Sequence, residues 1–458
     1  MHHNFRNADS PGVWGSHLLP LCLLPLTIAS NTETSKLLFA FTSVLSMSFF
    51  LKECTWKEKT CGFYASVIFS CLLSTPVSAL ISWYTESKFS VIYIVCLLTI
   101  LYYNSLASSI MISCPRSFTV GELQIISQTI TLVLLFTVIS ILLRNDYITS
   151  ARAVHPLLDS TKFLQILLSG SIFLMHIFHK VPYLTIGKVM SITFLVFAPL
   201  LITSWSVYLQ RNPIIWLISF CLKNEKRKYL IIFWIFCSLA AIIFVIVYNI
   251  KPRKIKLTIV RKYFHFVIDA VFISGMFYDP ELLYLASAIA LTVFVFLEAC
   301  RLVKIPFIGS VIDDAFRVFL DEKDAGTLIL THIYLLVGCS LPIWLYGFTQ
   351  PKIGYHICQL SGIISVGFGD TLAALYGASY GKHFWKGSNK TLEGTVSAIV
   401  IQLLCAFLFL SYGHEFSEKN ILLIILAVIF TSILEAKTAQ IDNLILPLFM
   451  LLFLAWIS

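Results

Sequence analysis

The sequence has few charged residues for its length. Asp, Glu, Lys and Arg make up 12% of its 458 residues, and 58% of the residues are hydrophobic. Soluble domains carry about 25% charged residues, so this composition excludes an ordinary soluble protein. The 33 basic and 24 acidic residues form no continuous basic face, which argues against nucleic-acid binding. Short charged loops between apolar runs instead predict a polytopic integral membrane protein.

The sequence also lacks the cysteine patterns of zinc and disulfide sites. Its 12 cysteines form no CxxC motif and no cluster with histidine, and most lie inside apolar runs, which favours reduced and buried thiols. A convincing signal-peptide cleavage site is missing too, and Pro20 and Pro25 interrupt the first apolar run, 17–30. We therefore expect this run to be an uncleaved first membrane segment.

Apolar runs that approach the bilayer-spanning length of about 20 residues recur along the whole chain. They predict an all-α fold of about 15 transmembrane helices with short loops. Residues 1–250 contain no polar pattern that identifies a chemistry. Residues 251–458 combine apolar helices with charged, glycine-containing loops. We therefore predict an N-terminal multi-helix membrane region, 1–250, and a catalytic membrane domain, 251–458.

Loop charges predict the orientation of the second region. The loop 251–262 contains six basic residues and no acidic one, which places it in the cytosol by the positive-inside rule. Counting helices onward brings the charged segments 298–304, 381–391 and 435–437 to the same face and the C-terminus to the lumen. The basic segment 223–228 falls on the lumenal side in this topology, against the rule.

The clearest candidate for a functional side chain is Asp370, in the sequence GFGDT at 367–371. It lies toward the cytosolic end of an otherwise apolar helix. A carboxylate within the membrane is costly, so it marks a functional site or pairs with a Lys or Arg of a neighbouring helix. The adjacent glycines allow a ligand or another backbone to approach closely.

A loop rich in glycine and lysine follows at 376–395. Its backbone N–H groups, hydroxyls and ammonium groups are ligands for phosphate, and its acidic residue is a ligand for a divalent cation. The Gly381–Lys382 pair is followed by His383, so the loop is not a Walker A motif. The alternative is a solvated anchor at the membrane edge.

Further acidic residues are predicted on the same face. Asp321 and Asp324 can point the same way at the start of a helix, although helix capping would also explain one of them. Glu435 and Asp442 flank the last cytosolic turn, and we interpret both as structural ion-pair partners. Carboxylates, ammonium groups and a glycine-rich loop at one membrane face favour phosphoryl or nucleotidyl transfer to a lipid alcohol or lipid phosphate.

Seven segments between about 255 and 455 carry a resemblance to a known family. They are RKYFH at 261–265, LEACR at 297–301, FLDEKDAG at 319–326, LILTHIYLLVG at 328–338, GFGDTLAA at 367–374, KTLEGT at 390–395 and QIDNLILPL at 440–448. In this uninterrupted order they resemble the dolichol kinases, the CTP-dependent polyprenol kinases of the endoplasmic reticulum.

The resemblance implies transfer of the terminal phosphate of CTP to dolichol. The product, dolichyl phosphate, is the carrier lipid for N-glycosylation, mannosylation and GPI-anchor synthesis. The resemblance further implies an endoplasmic reticulum membrane protein with a CTP-binding segment at about 369–395 facing the cytosol, and a divalent cation that we expect to be Mg²⁺.

The resemblance also implies roles for individual residues. Asp370, Glu393 and Lys390 are the implied catalytic residues, and Arg261 and Lys262 are second phosphate contacts. The implied metal ligands are Asp370, Glu393, Asp321 and Asp324. The implied CTP-binding residues are Gly369, Asp370, Thr371, Gly377, Gly381, Lys382, Trp385, Gly387, Lys390, Thr391, Gly394 and Thr395.

The loop departs from the family pattern at two points. The family has Trp-Pro-Gly where this sequence has WKG at 385–387, and it has paired lysines where this sequence has Asn389–Lys390. Lys390 is therefore a firmer assignment than Lys382 or Lys386.

Other functions stay open at this point. A kinase for another lipid alcohol, or a CDP-diacylglycerol-type cytidylyltransferase that attacks the α-phosphate of CTP, would use similar groups. A transporter is less favoured, because it would require charges deep in helices of both halves. The sequon Asn389–Lys390–Thr391 lies in the predicted cytosolic loop, so we predict that it is not glycosylated.

Overall fold

The computed structural model describes most of the chain as helices joined by short loops. The described residues are 5–6, 10–55, 63–85, 88–144, 159–180, 199, 202–250, 257–302, 308–316, 326, 328–350, 353–413 and 416–457. They contain no β-strand, and an isolated antiparallel bridge links Phe384 to Thr391. This confirms the predicted all-α fold.

The part of the chain that the structure describes contains 16 α-helices. Five of them precede residue 158: α1 (Leu18–Ser30), α2 (Glu33–Thr55), α3 (Phe63–Thr85), α4 (Phe89–Ser113) and α5 (Val120–Arg144). The next six are α6 (Asp159–Lys180), α7 (Pro213–Leu222), α8 (Glu225–Ile250), α9 (Leu257–Tyr278), α10 (Pro280–Leu302) and α11 (Ile308–Phe316). The last five are α12 (Thr331–Thr349), α13 (Thr371–Tyr380), α14 (Leu392–Gly413), α15 (Glu418–Lys437) and α16 (Asp442–Leu454).

The helices are those of a polytopic membrane protein. Within the described residues, nine helical spans are long and apolar enough to cross a bilayer, and three shorter helices are also apolar. The nine are Val13–Ser30, Phe89–Ser113, Val120–Leu143, Glu225–Tyr248, Pro280–Leu302, Thr331–Thr349, Ile357–Tyr380, Leu392–Gly413 and Glu418–Lys437. The membrane class is thus confirmed, and the total of about 15 helices stays a prediction.

The chain forms two compact units. The first comprises residues 1–158 and 345–352, and the second comprises residues 159–344 and 353–458. In the first unit, the buried side chains of Arg6 and Glu122 pair at 2.6 Å. In the second unit, α6 packs against α10. The functional division at residue 250 stays a prediction.

One end of the second unit carries a cluster of ion pairs. The Arg227 Nε atom lies 2.6 Å from Asp279 Oδ2, and its Nη2 atom lies 3.2 Å from Glu281 Oε2. The start of α8 and the turn between α9 and α10 therefore lie at the same end, as the predicted topology requires. Because Arg227 is paired with two carboxylates, the segment 223–228 presents less positive charge than its sequence indicates.

A π-helical segment, Ile363–Asp370, leads into α13 and presents Asp370 at its end. Single π-helical turns inside longer helices are often found at functional sites. Two glycines allow close packing here. A Cβ atom on Gly367 would overlap the Asp269 carboxylate, and one on Gly369 would overlap the Gln402 amide.

Candidate active site

Three carboxylates from three helix ends meet in the second unit. Asp370 directly precedes α13, Glu435 lies in the last turn of α15, and Asp442 begins α16. One carboxylate oxygen from each of them lies within 4.8 Å of the other two. Asp370 and Glu435 are buried, at 6% and 4% exposure. Three clustered carboxylates are a donor set that suits a hard divalent cation such as Mg²⁺.

Two lysines neutralise part of this negative charge. The Lys262 ammonium pairs with Asp370 Oδ2. The Lys390 ammonium pairs with Glu435 Oε1 and lies 3.5 Å from Asp442 Oδ2. Burial alone would lower the pKa of the Lys390 ammonium, but Asp442 and Glu435 raise this pKa above its ordinary value. Lys390 therefore carries a full positive charge at neutral pH.

Helix α9 presents a row of polar side chains to the π-helical segment. Lys262, His265 and Asp269 share one face of α9, because residues three and four apart are neighbours on a helix. The Nδ1–H group of His265 donates to the Val366 carbonyl oxygen at 3.2 Å. The Asp269 carboxylate is 3% exposed, and neither of its oxygens has a hydrogen-bond partner among the described residues.

The predicted nucleotide loop folds as a tight hairpin at 383–392. The Trp385 N–H donates to the Lys390 carbonyl at 2.9 Å, and the Leu392 N–H donates to the His383 carbonyl at 2.8 Å. Gly387 turns the chain with a φ of 78°, a left-handed conformation that glycine adopts at little cost. The hairpin directs Lys390 toward the carboxylates.

The Trp385 side chain of the hairpin is held by α14 and α15. The Trp385 indole N–H donates to the Thr395 hydroxyl at 2.9 Å. The Lys437 ammonium lies 5.5 Å from the centre of the Trp385 ring, within the range of a cation–π interaction. These contacts fix the orientation of Trp385 at the base of the hairpin.

Glu393, a predicted metal ligand, lies apart from the carboxylate cluster. Its Oε1 atom is 2.6 Å from His383 Nδ1, and both of its oxygens accept from the His383 main-chain N–H at 3.2 Å. Glu393 therefore closes the base of the hairpin. The other predicted ligands, Asp321 and Asp324, lie outside the described residues.

The predicted glycines of the site mainly serve packing. Added Cβ atoms on Gly377, Gly381 and Gly394 would contact Thr391. The Gly381 N–H donates to the Gly377 carbonyl at 3.0 Å, and the Gly394 N–H donates to the Thr391 hydroxyl at 3.2 Å. Their role as phosphate donors stays a prediction.

Sequence reasoning missed the contribution of Glu435 and Asp442 to this cluster. The sequence predicts both as structural ion-pair partners, and both do pair with Lys390. The structure adds that they lie beside Asp370. The signal was their place on either side of a turn at the same predicted membrane face as Asp370, but the sequence cannot give a distance between helices.

Comparison with known proteins identifies the family. The family model for dolichol kinase matches residues 67–340, more than half of the chain. The dolichol kinases of Bos taurus and Homo sapiens are 40% and 39% identical to the chain over 258 residues, which is 54% of this chain and 48% of each relative. The dolichol kinase of Saccharomyces cerevisiae is 29% identical over 321 residues, 68% of this chain and 58% of the relative.

No solved structure matches the chain. The matches to the cattle and human proteins span about half the length of those relatives. The family model and the similarity to mammalian and yeast relatives agree in pointing to the same family. The chain belongs to the dolichol kinase family.

Proposed function

We propose that the protein is a dolichol kinase that transfers the terminal phosphate of CTP to the hydroxyl group of dolichol. The observation that carries this proposal is the cluster of Asp370, Glu435 and Asp442, with Lys262 and Lys390 paired to it. Phosphoryl transfer requires positioned phosphates and neutralised charge more than a reactive side chain. A cluster of carboxylates and ammonium groups meets that requirement.

Asp370, Glu435 and Asp442 would hold a divalent cation, expected to be Mg²⁺. When bound, this cation supplies positive charge that neutralises and orients the phosphate oxygens. Lys390 binds the phosphates of the nucleotide, and Lys262 holds the Asp370 carboxylate in place. The dolichol oxygen attacks the terminal phosphorus, the bond to the bridging oxygen of CDP breaks, and the hydroxyl proton leaves to solvent.

The location of the cluster suits a lipid acceptor. Asp370 lies in the apolar helical span Ile357–Tyr380, so a lipid alcohol reaches it from within the membrane. The exposed Lys382 directly precedes the hairpin 383–392, and the exposed Lys386 lies within it. Both attract a polyphosphate from the aqueous side. An endoplasmic reticulum membrane with the hairpin in the cytosol accommodates both substrates.

The test is transfer of radiolabel from CTP to lipid in reconstituted membranes. We expect the γ-phosphate label to enter dolichol and the α-phosphate label to stay in the nucleotide. Asp370→Ala is expected to abolish the transfer, whereas Glu418→Gln, at the exposed opposite end of α15, retains it. Label from the α-phosphate in the lipid would instead indicate a cytidylyltransferase, and preference for another alcohol would indicate a different lipid kinase.

A further inference from the structure

Lys390 occupies the position between two of the three carboxylates. Its ammonium pairs with Glu435 and lies 3.5 Å from Asp442. A cation ligated by Asp370, Glu435 and Asp442 would have to share these same oxygens with the ammonium group. The ammonium group and a divalent cation cannot both contact the Glu435 and Asp442 carboxylates closely without strong repulsion in a buried site. Lys390 therefore competes with the cation for these two carboxylates.

The ammonium group of Lys390 can leave the cluster without any change in the backbone. The hairpin fixes the Lys390 main chain, because its carbonyl accepts from Trp385 and its N–H donates to the Ser388 hydroxyl. The side chain has 39% exposure and a flexible four-carbon stem. Rotation about the bonds of this stem would move the ammonium from the carboxylates toward the aqueous side.

Lys262 differs from Lys390 in this respect. Its side chain is 9% exposed, as is that of its partner Asp370. An ammonium that leaves a carboxylate inside the protein pays a large desolvation penalty unless it finds another partner. Lys262 therefore stays with Asp370, and Lys390 is the group that can exchange partners.

A nucleotide provides the partner that Lys390 requires. The three carboxylates and two ammonium groups leave the cluster with one negative charge, so a divalent cation added alone would make it positive. The phosphates of a nucleotide attract both the cation and the released ammonium group. Departure of Lys390 thus becomes favourable when the nucleotide is present.

We propose that Lys390 couples cation binding to nucleotide binding. Without nucleotide, Lys390 holds Glu435 and Asp442 and weakens cation binding. With nucleotide, its ammonium moves to the phosphates and the carboxylates accept the cation, so the site takes up the two together. This inference rests on the proposed function and concerns the order in which its ligands bind.

The experiment measures Mn²⁺ binding to the purified full chain in detergent by the electron paramagnetic resonance signal of free Mn²⁺. CDP serves as the nucleotide because it cannot donate a terminal phosphate as CTP does. For the unmodified chain we expect CDP to tighten Mn²⁺ binding about tenfold or more, and Mn²⁺ to tighten CDP binding by the same factor. Lys390→Met should bind Mn²⁺ without CDP about tenfold more tightly than the unmodified chain, with little further gain from CDP.

Lys419→Met is the matched control, because Lys419 is an exposed lysine in the first turn of α15, at the opposite end of that helix from Glu435; it should behave like the unmodified chain. Lys390→Gln is a second variant of similar side-chain length, and thermal unfolding of each variant checks that it is folded. Glu435→Gln should weaken Mn²⁺ binding with and without CDP.

Two results would overturn the inference. One is folded Lys390→Met and Lys390→Gln proteins that bind Mn²⁺ without CDP no more tightly than the unmodified chain. The other is an unmodified chain that binds CDP but whose Mn²⁺ affinity is the same with and without it. Failure of the unmodified chain to bind CDP at all would overturn the proposed function as well, so the two failures are distinguishable.

Discussion

At the scale of single residues, the buried acidic side chains that the structure describes differ in whether they have a partner. Asp370 pairs with Lys262, and Glu435 pairs with Lys390. Asp269, two helical turns from Lys262, has no hydrogen-bond partner among the described residues. A paired charge that loses its partner is strongly destabilised, whereas removal of an unpartnered polar group relieves a desolvation cost.

We therefore predict opposite effects at Asp269 and Lys262. Asp269→Leu replaces the carboxylate with an apolar group of similar size and should stabilise the protein, since an unsatisfied buried polar group costs about 1–3 kcal/mol. Lys262→Leu leaves Asp370 buried without its ammonium partner and should destabilise the protein. Thermal unfolding in detergent measures the stability of both variants. A lower unfolding temperature for Asp269→Leu than for the unmodified chain would mean that the Asp269 carboxylate has a hydrogen-bond partner in the folded protein.

At the scale of elements, the π-helical segment Ile363–Asp370 and the hairpin 383–392 bring the site together. The segment places Asp370 beside Lys262 of α9 and packs Gly369 against Gln402 of α14, and the hairpin directs Lys390 to the ends of α15 and α16. Both elements depend on glycines that let other groups approach. The contact between Gly369 and Gln402 of α14 is the one that a pair of substitutions can test.

Gly369→Ala should strongly reduce the proposed kinase activity, because its Cβ would overlap the Gln402 side chain at 2.7 Å from Cδ and 3.0 Å from Cγ. Gln402→Ala removes those atoms and should restore part of the lost activity in the double variant. A double-mutant cycle on the initial rate of label transfer measures the interaction, expected in the range of about 0.5–3 kcal/mol for residues in contact. Additive effects would show that the two residues do not act through this contact.

The sequence predicted the helices and most of the polar segments of the site, and it missed the way they meet. Asp370 and Lys390 were predicted from their setting in glycine-containing segments and from the family resemblance. The family resemblance implies Glu393 as a metal ligand, but spacing along the chain does not give the direction of its side chain across a hairpin turn. Gly387 and the bridge between Phe384 and Thr391 turn Glu393 toward His383.

At the scale of the whole molecule, the second unit has its two charged ends on opposite sides of its apolar helices. Asp370, Lys390 and Glu435 lie at one end, and Arg227 and Asp279 lie at the other. Helices such as α9, which runs from Lys262 to the turn at Asp279, join the two ends. The predicted topology assigns the first end to the cytosol and the second to the lumen.

Labelling in sealed microsomes tests this orientation. Lys386→Cys and Lys226→Cys place thiols at exposed positions of the two ends, and the unmodified chain gives the background from its own cysteines. A membrane-impermeant maleimide should label the Lys386→Cys protein in intact vesicles and the Lys226→Cys protein only after permeabilisation. Asn389 should carry no glycan. The reverse labelling pattern, or an endoglycosidase-sensitive mass shift at Asn389, would contradict the topology.

The most direct measurement compares two glutamates that the structure separates. Glu435 lies within the carboxylate cluster, and Glu393 closes the hairpin with His383. The initial rate of transfer from γ-labelled CTP to dolichol is measured for Glu435→Gln and Glu393→Gln proteins that express and fold equally. We predict a loss of about 100-fold or more for Glu435→Gln, as for other groups that stabilise charge at a reacting centre, and a much smaller loss for Glu393→Gln. Full activity in Glu435→Gln with a large loss in Glu393→Gln would contradict the assignment of Asp370, Glu435 and Asp442 as the active site.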